Sequence, residues 1–563
     1  MAVAAALPVR RVWSGDDRLL AAGVVLAGLF LAVALVLPLG TLFLKSFEDQ
    51  QGRFVGLANY VRYIETPALA GSLWNSLWTA GLTMVIVVPA AFVFAYALTR
   101  SAMPGRGLFR AIALIPILAP SLLPALALIY LFGNQGFLRS WLFGGTIYGP
   151  LGIIISQVFY TFPHALLILA TALSGTDARL YEAAEALRAS RIRVMRTVTL
   201  PTARYGMVSA SFVVFTLVIT DFGIPKVIGG SFSVLATEVY KQVVGQQNFQ
   251  MGAVVGVVLM IPAILAFGAD QWAQRRQVAV VGARAVPYVP KQRPERDWPL
   301  FAFCVLVSAL LLSLVGIAAW GSLITFWPWN LSLTLNNYAF GNFISAGWGS
   351  WVNSVQLAFW TALIGAPLVF AFAYAMDRVR VLGPLSDIVR FIAVIPLAVP
   401  GLVLGIAYIF FFNAPGNPLG FLYGTLGILV LNSLVHFYTV GHLASMTQLK
   451  SLDPEFESVS ASLKVPIWRT FAVVTVPMSL PVILDVAIYL FVNAMTTVSA
   501  VVFLYSPHTM PASVAVVQMD EAGFASAAAA MATVILLTSA AVKGLHVRLD
   551  QVLTRRTQAW RRR

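Results

Sequence analysis

Apolar stretches of about twenty residues or more recur along this chain, set apart by short polar segments. Each is long enough to cross ~30 Å of hydrocarbon as a helix rising 1.5 Å per residue, and strands of a membrane barrel would alternate residue by residue instead. The pattern predicts an all-α polytopic membrane protein with about 12 transmembrane helices. They fall near 19–44, 72–98, 109–133, 149–173, 205–225, 250–269, 299–326, 351–376, 389–412, 420–446, 478–504 and 523–545. The first span follows Arg10 and Arg11 and so imitates a signal peptide. It is too long for one and has no small-residue cleavage site at its end, so it reads as a retained span.

The pattern also repeats. Asn75-Ser76 returns as Asn353-Ser354, and Phe94-Ala95-Tyr96-Ala97 as Phe372-Ala373-Tyr374-Ala375. Ile115-Pro116 with Pro120 returns as Ile395-Pro396 with Pro400, and Tyr160-Thr161 with His164 as Tyr438-Thr439 with His442. Six spans separate the copies. An even number makes the halves parallel repeats about an axis along the membrane normal. The reading is two six-helix permease domains, 1–270 and 299–563, joined by a cytoplasmic linker at 271–298.

Composition agrees, and charge adds the orientation. Of 563 residues 59% are apolar and 10% charged, and the mean hydropathy is +0.84. A net charge of +15 would point to nucleic acid in a soluble chain. Here its placement decides otherwise. With the N-terminus inside, 31 of the 37 Lys and Arg lie on inner segments and 6 on outer loops. Both termini are therefore expected in the cytoplasm, with no nucleic-acid partner. The one cysteine, Cys304, allows no internal disulfide.

One polar, basic island stands out between two apolar runs, from Tyr181 to Pro201. Asp177, Glu182 and Glu185 come early and Arg188, Arg191, Arg193 and Arg196 late, an order that suits the dipole of one helix. Pro201 is expected to end it. Glu182-Ala183-Ala184, with Leu200-Pro201 closing the stretch, resembles the EAA loop of binding-protein-dependent ABC importer permeases. The resemblance implies a short coupling helix that docks in a cleft of a cytoplasmic ATPase. The family's glycine is replaced by Arg188, which puts the usual left-handed bend in question. An offset of 276 places a second, worn elbow in the other half. Ser458-Val459-Ser460 stands for Glu182-Ala183-Ala184, Lys464 for Arg188 and Pro477 for Pro201.

The chain has no G-x-x-x-x-G-K-[ST] phosphate loop and no histidine spacing suited to a metal. It is read as a transport subunit without enzyme activity, cofactor or metal of its own. By resemblance, ATP is bound by two copies of a partner ATPase and cargo arrives from a periplasmic binding protein at a bacterial inner membrane. His164 and His442 read as helix-packing residues. Asp221, in Thr220-Asp221-Phe222-Gly223-Ile224-Pro225, fits either an interfacial or hydrogen-bonding acid or a place on the permeation path. Thr496 and Thr497 are its repeat partners beside Thr220. Asp485 reads as a snorkelling acid or a partner of Arg469. Pro116, Pro120, Pro396 and Pro400 are expected to kink their spans, and Trp327, Trp329, Trp348 and Trp351 to anchor at the outer interface.

The stretch 219–249 looks most like 2-aminoethylphosphonate transporter permeases, which implies a phosphonate cargo. Importers of ferric iron, thiamine or polyamine are the alternatives within the class. A secondary transporter of the major-facilitator type, hinted at by Asp377-Arg378-Val379-Arg380, is the alternative outside it. A non-transporting scaffold would leave two elbows without purpose.

Overall fold

The structure is a computed structural model describing residues 13–278, 286, 288–379, 381–453 and 455–557. The expectations resting on Arg10, Arg11, Arg284, Arg380 and the Arg561–Arg563 tail lie outside the described residues. Among the described residues nine helices are long and apolar enough to cross a membrane unbroken. In chain order they are spans 1 (Gly15–Lys45), 2 (Pro67–Arg100), 4 (Pro150–Ser174), 5 (Arg191–Thr220), 6 (Phe249–Gln274), 7 (Pro294–Gly321), 8 (Gly349–Arg378), 11 (Ile467–Thr496) and 12 (Ala525–Val552). Spans 3, 9 and 10 are bent pairs, Arg106–Leu118 with Leu122–Phe132, Gly383–Ala398 with Gly401–Phe412, and Leu426–His436 with Tyr438–Ser451.

The proline pairs do more than kink. Spans 3 and 9 turn through 98° and 115°. In each, the first proline sits in a 3-10 turn, Ile115–Leu118 or Ile395–Ala398, and the residue before the second is extended. Ala119 has φ −95° and ψ 146°, and Val399 φ −99° and ψ 115°. A following proline ring clashes with α geometry at these positions, so the helix must end and restart. Span 10 bends by 53° at Phe437, whereas its counterpart, span 4, runs unbroken through Pro163.

The repeated Asn-Ser pairs have a common task. Asn75 donates to Ser233 O at 2.9 Å, and Ser76 Oγ accepts from Leu235 N at 2.8 Å. Asn353 donates to His508 O at 2.9 Å, and Ser354 Oγ accepts from Ala512 N at 2.7 Å. Each pair ties the segment that follows span 5 or 11 to the first turns of span 2 or 8. Beyond spans 1 and 7, Asn59 and Asn337 tie down their loops in the same way, each donating to two carbonyls. The second loop adds a small hairpin of β1 (Ile324–Phe326) and β2 (Asn330–Leu333).

The leading span of each half packs against the other half. Val24, Ala27 and Leu31 are buried with Val369, Met376 and Val389. At Gly23 a Cβ would fall 2.8 Å from Ala375, so this crossing requires glycine. Tyr408 donates its hydroxyl to Ala34 O at 2.7 Å. Pro38, four residues on, has no N–H for that carbonyl, and the phenol supplies the missing donor from the opposite half. Span 7 returns the exchange, with Phe301 5.5 Å from Phe109 and Gly321 closed over Tyr130.

Candidate coupling site and pathway

The two elbows are short helices with the same closing turn. The first, Ala178–Ala186, is capped by Asp177, whose carboxylate accepts from Arg179 N at 3.0 Å. It closes with Ala189 N on Ala184 O and Arg188 N on Glu185 O, both 2.9 Å. The second, Glu455–Ser462, closes with Val465 N on Ser460 O at 2.9 Å and Lys464 N on Ala461 O at 3.0 Å. Both are Schellman turns, whose pivot takes left-handed backbone. Arg188 has φ 49° and Lys464 φ 55°. The bend left open by the missing glycines is therefore present twice, on basic residues.

Neither elbow helix extends to its proline. The turn at Leu187-Arg188 and the short break at Ala189-Ser190 separate the first elbow from span 5, which starts at Arg191 rather than near Tyr205, with Ser190 capping it. Arg191, Arg193 and Arg196 are exposed on its opening turns, so they do not complement the elbow's dipole. Pro201 and Pro477 do not end their helices. Leu200 N reaches back five residues to Met195 O, and Val476 N to Phe471 O. These π turns reset the register where the prolines offer no N–H, and the helix continues.

Two arginines hold the elbows to the membrane domain, Arg100, not singled out from the sequence, and Arg378, noted there only within Asp377-Arg378-Val379-Arg380. Arg100, ending span 2, is buried with its guanidinium 5.0 Å from the Tyr181 ring and 4.9 Å from that of Tyr288, and donates to Leu173 O. Its repeat partner Arg378 pairs instead with Glu457 at 2.6 Å. Glu457 occupies the place of Tyr181 at the 276 offset, so the same tie is aromatic in one half and ionic in the other. The signal was in the sequence, as an arginine ending the second span of both halves.

The linker clasps the first elbow. Ala178 N donates to Val286 O at 2.9 Å, and Lys291 and Arg293 reach Glu185 at 2.8 and 3.0 Å. The hydrogen bond and charge of Lys291, then those of Arg293, hold Glu185 below the usual carboxylate range. Arg191 pairs with Glu295 at 2.5 Å. Glu182 is different. It is exposed, and among the described residues its side chain makes no hydrogen bond or ion pair. Ala183 is exposed and Ala184 buried. The second elbow's neighbourhood is tied to the N-terminus, where Asp16 accepts from Ile467 N at 3.2 Å.

Spans 5 and 11 break at equivalent places. Asp221 and Thr497 each terminate their span in extended backbone, φ −72° and φ −68°. Asp221 Oδ2 accepts from Gln157 Nε2 at 3.0 Å and Ile224 N at 3.1 Å. Thr220 and Thr496 bond back into their own helices, and Ser513 donates to Thr497 O. A Cβ on Gly223 would fall 2.6 Å from Ser121 Oγ, and one on Gly401 2.8 Å from Ser499 Oγ. These contacts are repeat-related with the residues exchanged, glycine on the span 5 side in one half and on the span 9 side in the other.

Asp485 is exposed, as a snorkelling acid would be, and among the described residues it forms no ion pair with Arg469. His546 Nε2 of span 12 lies 3.5 Å from its Oδ1. His164 and His442 each lie against their repeated tyrosine, 5.7 and 5.5 Å between rings. Among the described residues no three His, Cys, Asp or Glu gather as a metal site. Trp327 packs among Tyr130, Phe137 and Trp320, while Trp329 and Trp348 are exposed.

Two repeated halves of membrane-crossing helices, each with a short elbow helix, define a polytopic membrane protein. The profile described as "Binding-protein-dependent transport system inner membrane component" matches residues 87–278 and 367–555, and the chain belongs to that family. It is an ABC importer permease subunit, a transport component and not an enzyme, which sets aside the major-facilitator and scaffold readings. The chain is 28% identical over 524 residues to the ferric transport system permease protein FbpB of Actinobacillus pleuropneumoniae, covering 90% of this chain and 75% of that one. It is 29% identical over 153 residues to the molybdenum transport system permease protein ModB of Escherichia coli K12, covering 26% and 66%. A chain of a bacterial alginate ABC transporter, solved with its alginate-bound periplasmic protein, aligns with TM-score 0.40 and 16% identity, covering 46% of this chain and 96% of that one.

Proposed function

We propose that this chain forms the whole transmembrane pathway of an ATP-driven importer in a bacterial inner membrane. It takes cargo from a periplasmic binding protein and seats one copy of a cytoplasmic ATPase on each elbow. ATP binds those partners, and the chain carries no cofactor. The observation that supports this most is the paired Schellman elbow, repeated at one offset with its strained pivot intact. Glu182, Ala183, Ala184, Arg188, Leu200 and Pro201 serve the first contact, and Ser458, Lys464 and Pro477 the second. Asp221, Thr220, Thr496 and Thr497 stand where the two central spans break toward the far side.

For the cargo we favour ferric iron, because the ferric permease relative aligns with nearly the whole chain in both halves. The stretch 219–249 keeps 2-aminoethylphosphonate as the second reading. That reading needs a lysine for the phosphonate, and both in the stretch are engaged, Lys226 with Glu521 and Lys241 with Ser233 and Glu238. ATP-dependent uptake in proteoliposomes holding this chain, its ATPase and its binding protein decides between them. The panel is ferric ion, 2-aminoethylphosphonate, thiamine and spermidine. Ferric uptake alone is expected, and phosphonate uptake alone would replace it.

A further inference from the structure

On the face opposite the elbows, the halves meet through the segments that follow the breaks in spans 5 and 11. The first is the short helix Gly223–Ile228, and its partner is the helix Ala512–Glu521. Lys226 of the first half forms an ion pair with Glu521 of the second. The same ammonium lies 4.6 Å from the centre of the Tyr240 ring. That ring is 5.0 Å from Phe222 and 6.0 Å from Phe503 of the second half, so the seam is aromatic beneath and ionic above. Ile228 O accepts from Gly149 N at 2.8 Å, beside the first residue of span 4, which places the cluster at the far end of the bundle.

Lys226 and Glu521 have Val502 and Gly245 as counterparts at the 276 offset, so the repeat supplies no second copy. The ion pair therefore ties the two halves without a repeat-related counterpart. Both charges are partly exposed, 23% and 41%. Ion pairs so placed are weak and reversible, unlike the buried apolar packing of spans 1 and 7. The pair also hangs from the far end of span 5, whose near end leads directly from the first elbow.

We propose that Lys226, Tyr240 and Glu521 are the latch that shuts the pathway on the far face, and that the seam between them opens in every transport cycle. The latch deepens the importer reading and is independent of which cargo is carried. An elbow pushed by its ATPase moves span 5 as a rod and pulls Lys226 from Glu521. Tyr240 is a positioning residue here, holding the ammonium over its ring until the carboxylate leaves.

The test uses the assembled complex in proteoliposomes, with Lys226→Cys and Glu521→Cys in a Cys304→Ser background. A short bis-methanethiosulfonate bridges the two thiols, and a long one controls for modification. Binding-protein-stimulated ATP hydrolysis is read beside ferric uptake. The short bridge is expected to lower both by about tenfold, as a blocked opening step does, and reductant is expected to restore them in the same sample. The long bridge should leave at least about half of each. Stimulated hydrolysis within about twofold of the unbridged protein under the short bridge would overturn the latch. If the unbridged complex hydrolyses ATP but imports no ferric ion, the cargo reading fails and the latch is still judged on hydrolysis. As a second measurement, Lys226→Glu and Glu521→Lys alone should each raise hydrolysis without binding protein, and the double exchange should return it to the parent value. Basal hydrolysis equal in all four proteins would mean an inert tie.

Discussion

Arg188 and Lys464 sit at left-handed pivots, where a side chain costs about 1–2 kcal/mol relative to the right-handed form. Glycine removes that cost but adds ~0.5–1 kcal/mol of unfolded-chain entropy. Arg188→Gly and Lys464→Gly should therefore raise stability by about 0.5–1 kcal/mol each and leave uptake intact. Thermal unfolding in detergent and proteoliposome uptake check this, and lost uptake without lost stability would assign the basic side chains to ATPase contact. The neighbouring acids divide their work. Glu185 holds the linker, whereas Glu182 faces solvent and its side chain has no bond to lose among the described residues. Glu182→Ala is expected to leave unfolding unchanged while cutting uptake and ATPase copurification severalfold. Ser458→Ala should do little of either, since a neutral partner is worth about 1 kcal/mol against roughly 1.5–3 for a charged one. Equal losses from the two would make the elbows equivalent.

At the scale of elements, the breaks in spans 3 and 5 fit together only if one side lacks a side chain. Gly223→Ala should bring Cβ against Ser121 Oγ and cost about 1–3 kcal/mol as overpacking. The double change Ser121→Gly with Gly223→Ser copies the arrangement of Gly401 and Ser499, and it should recover most of that loss. Unfolding midpoints of the single and double variants measure it, and a double variant no better than the single would show that the halves are not interchangeable here. The twelve spans and the elbows were legible because length, apolarity and charge are local properties. The breaks were legible only as proline positions. Whether a proline kinks, ends or is absorbed depends on what receives the orphaned carbonyl. Pro120 and Pro400 follow residues forced into extended backbone, whereas Pro201 and Pro477 are taken up by π turns. The start of span 5 was misplaced for a related reason, because exposed arginines mark where lipid stops and say nothing of where the helix does. The clasp of Glu185 by Lys291 and Arg293 joins residues over a hundred positions apart, and no periodicity reports such a contact.

For the whole molecule, the charge asymmetry makes a direct prediction of sidedness. Ser332 and Ser345 lie on one exposed face, and Ser190 and Gln292 on the elbow face. Cys304 is buried and should stay silent. Cysteines at the first two positions are expected to react with an impermeant thiol reagent applied outside cells, and those at the other two only after permeabilisation. Labelling of Ser332→Cys only after permeabilisation would invert the molecule.

The exchanged leading spans bear on how the protein is made. Span 1 is made well before its cover, since the side chains that bury Val24, Ala27 and Leu31 begin with Val369, roughly 340 residues later. At ~5–20 residues per second, the interval is about 17–68 s. During it the Gly23 and Gly28 face and the Ala34 carbonyl have only lipid or the insertion machinery for company. Translation pauses, or the guardians that wait beside nascent membrane chains, should matter more for this protein than for permeases made as two separate six-helix chains, whose partner can already be waiting in the bilayer.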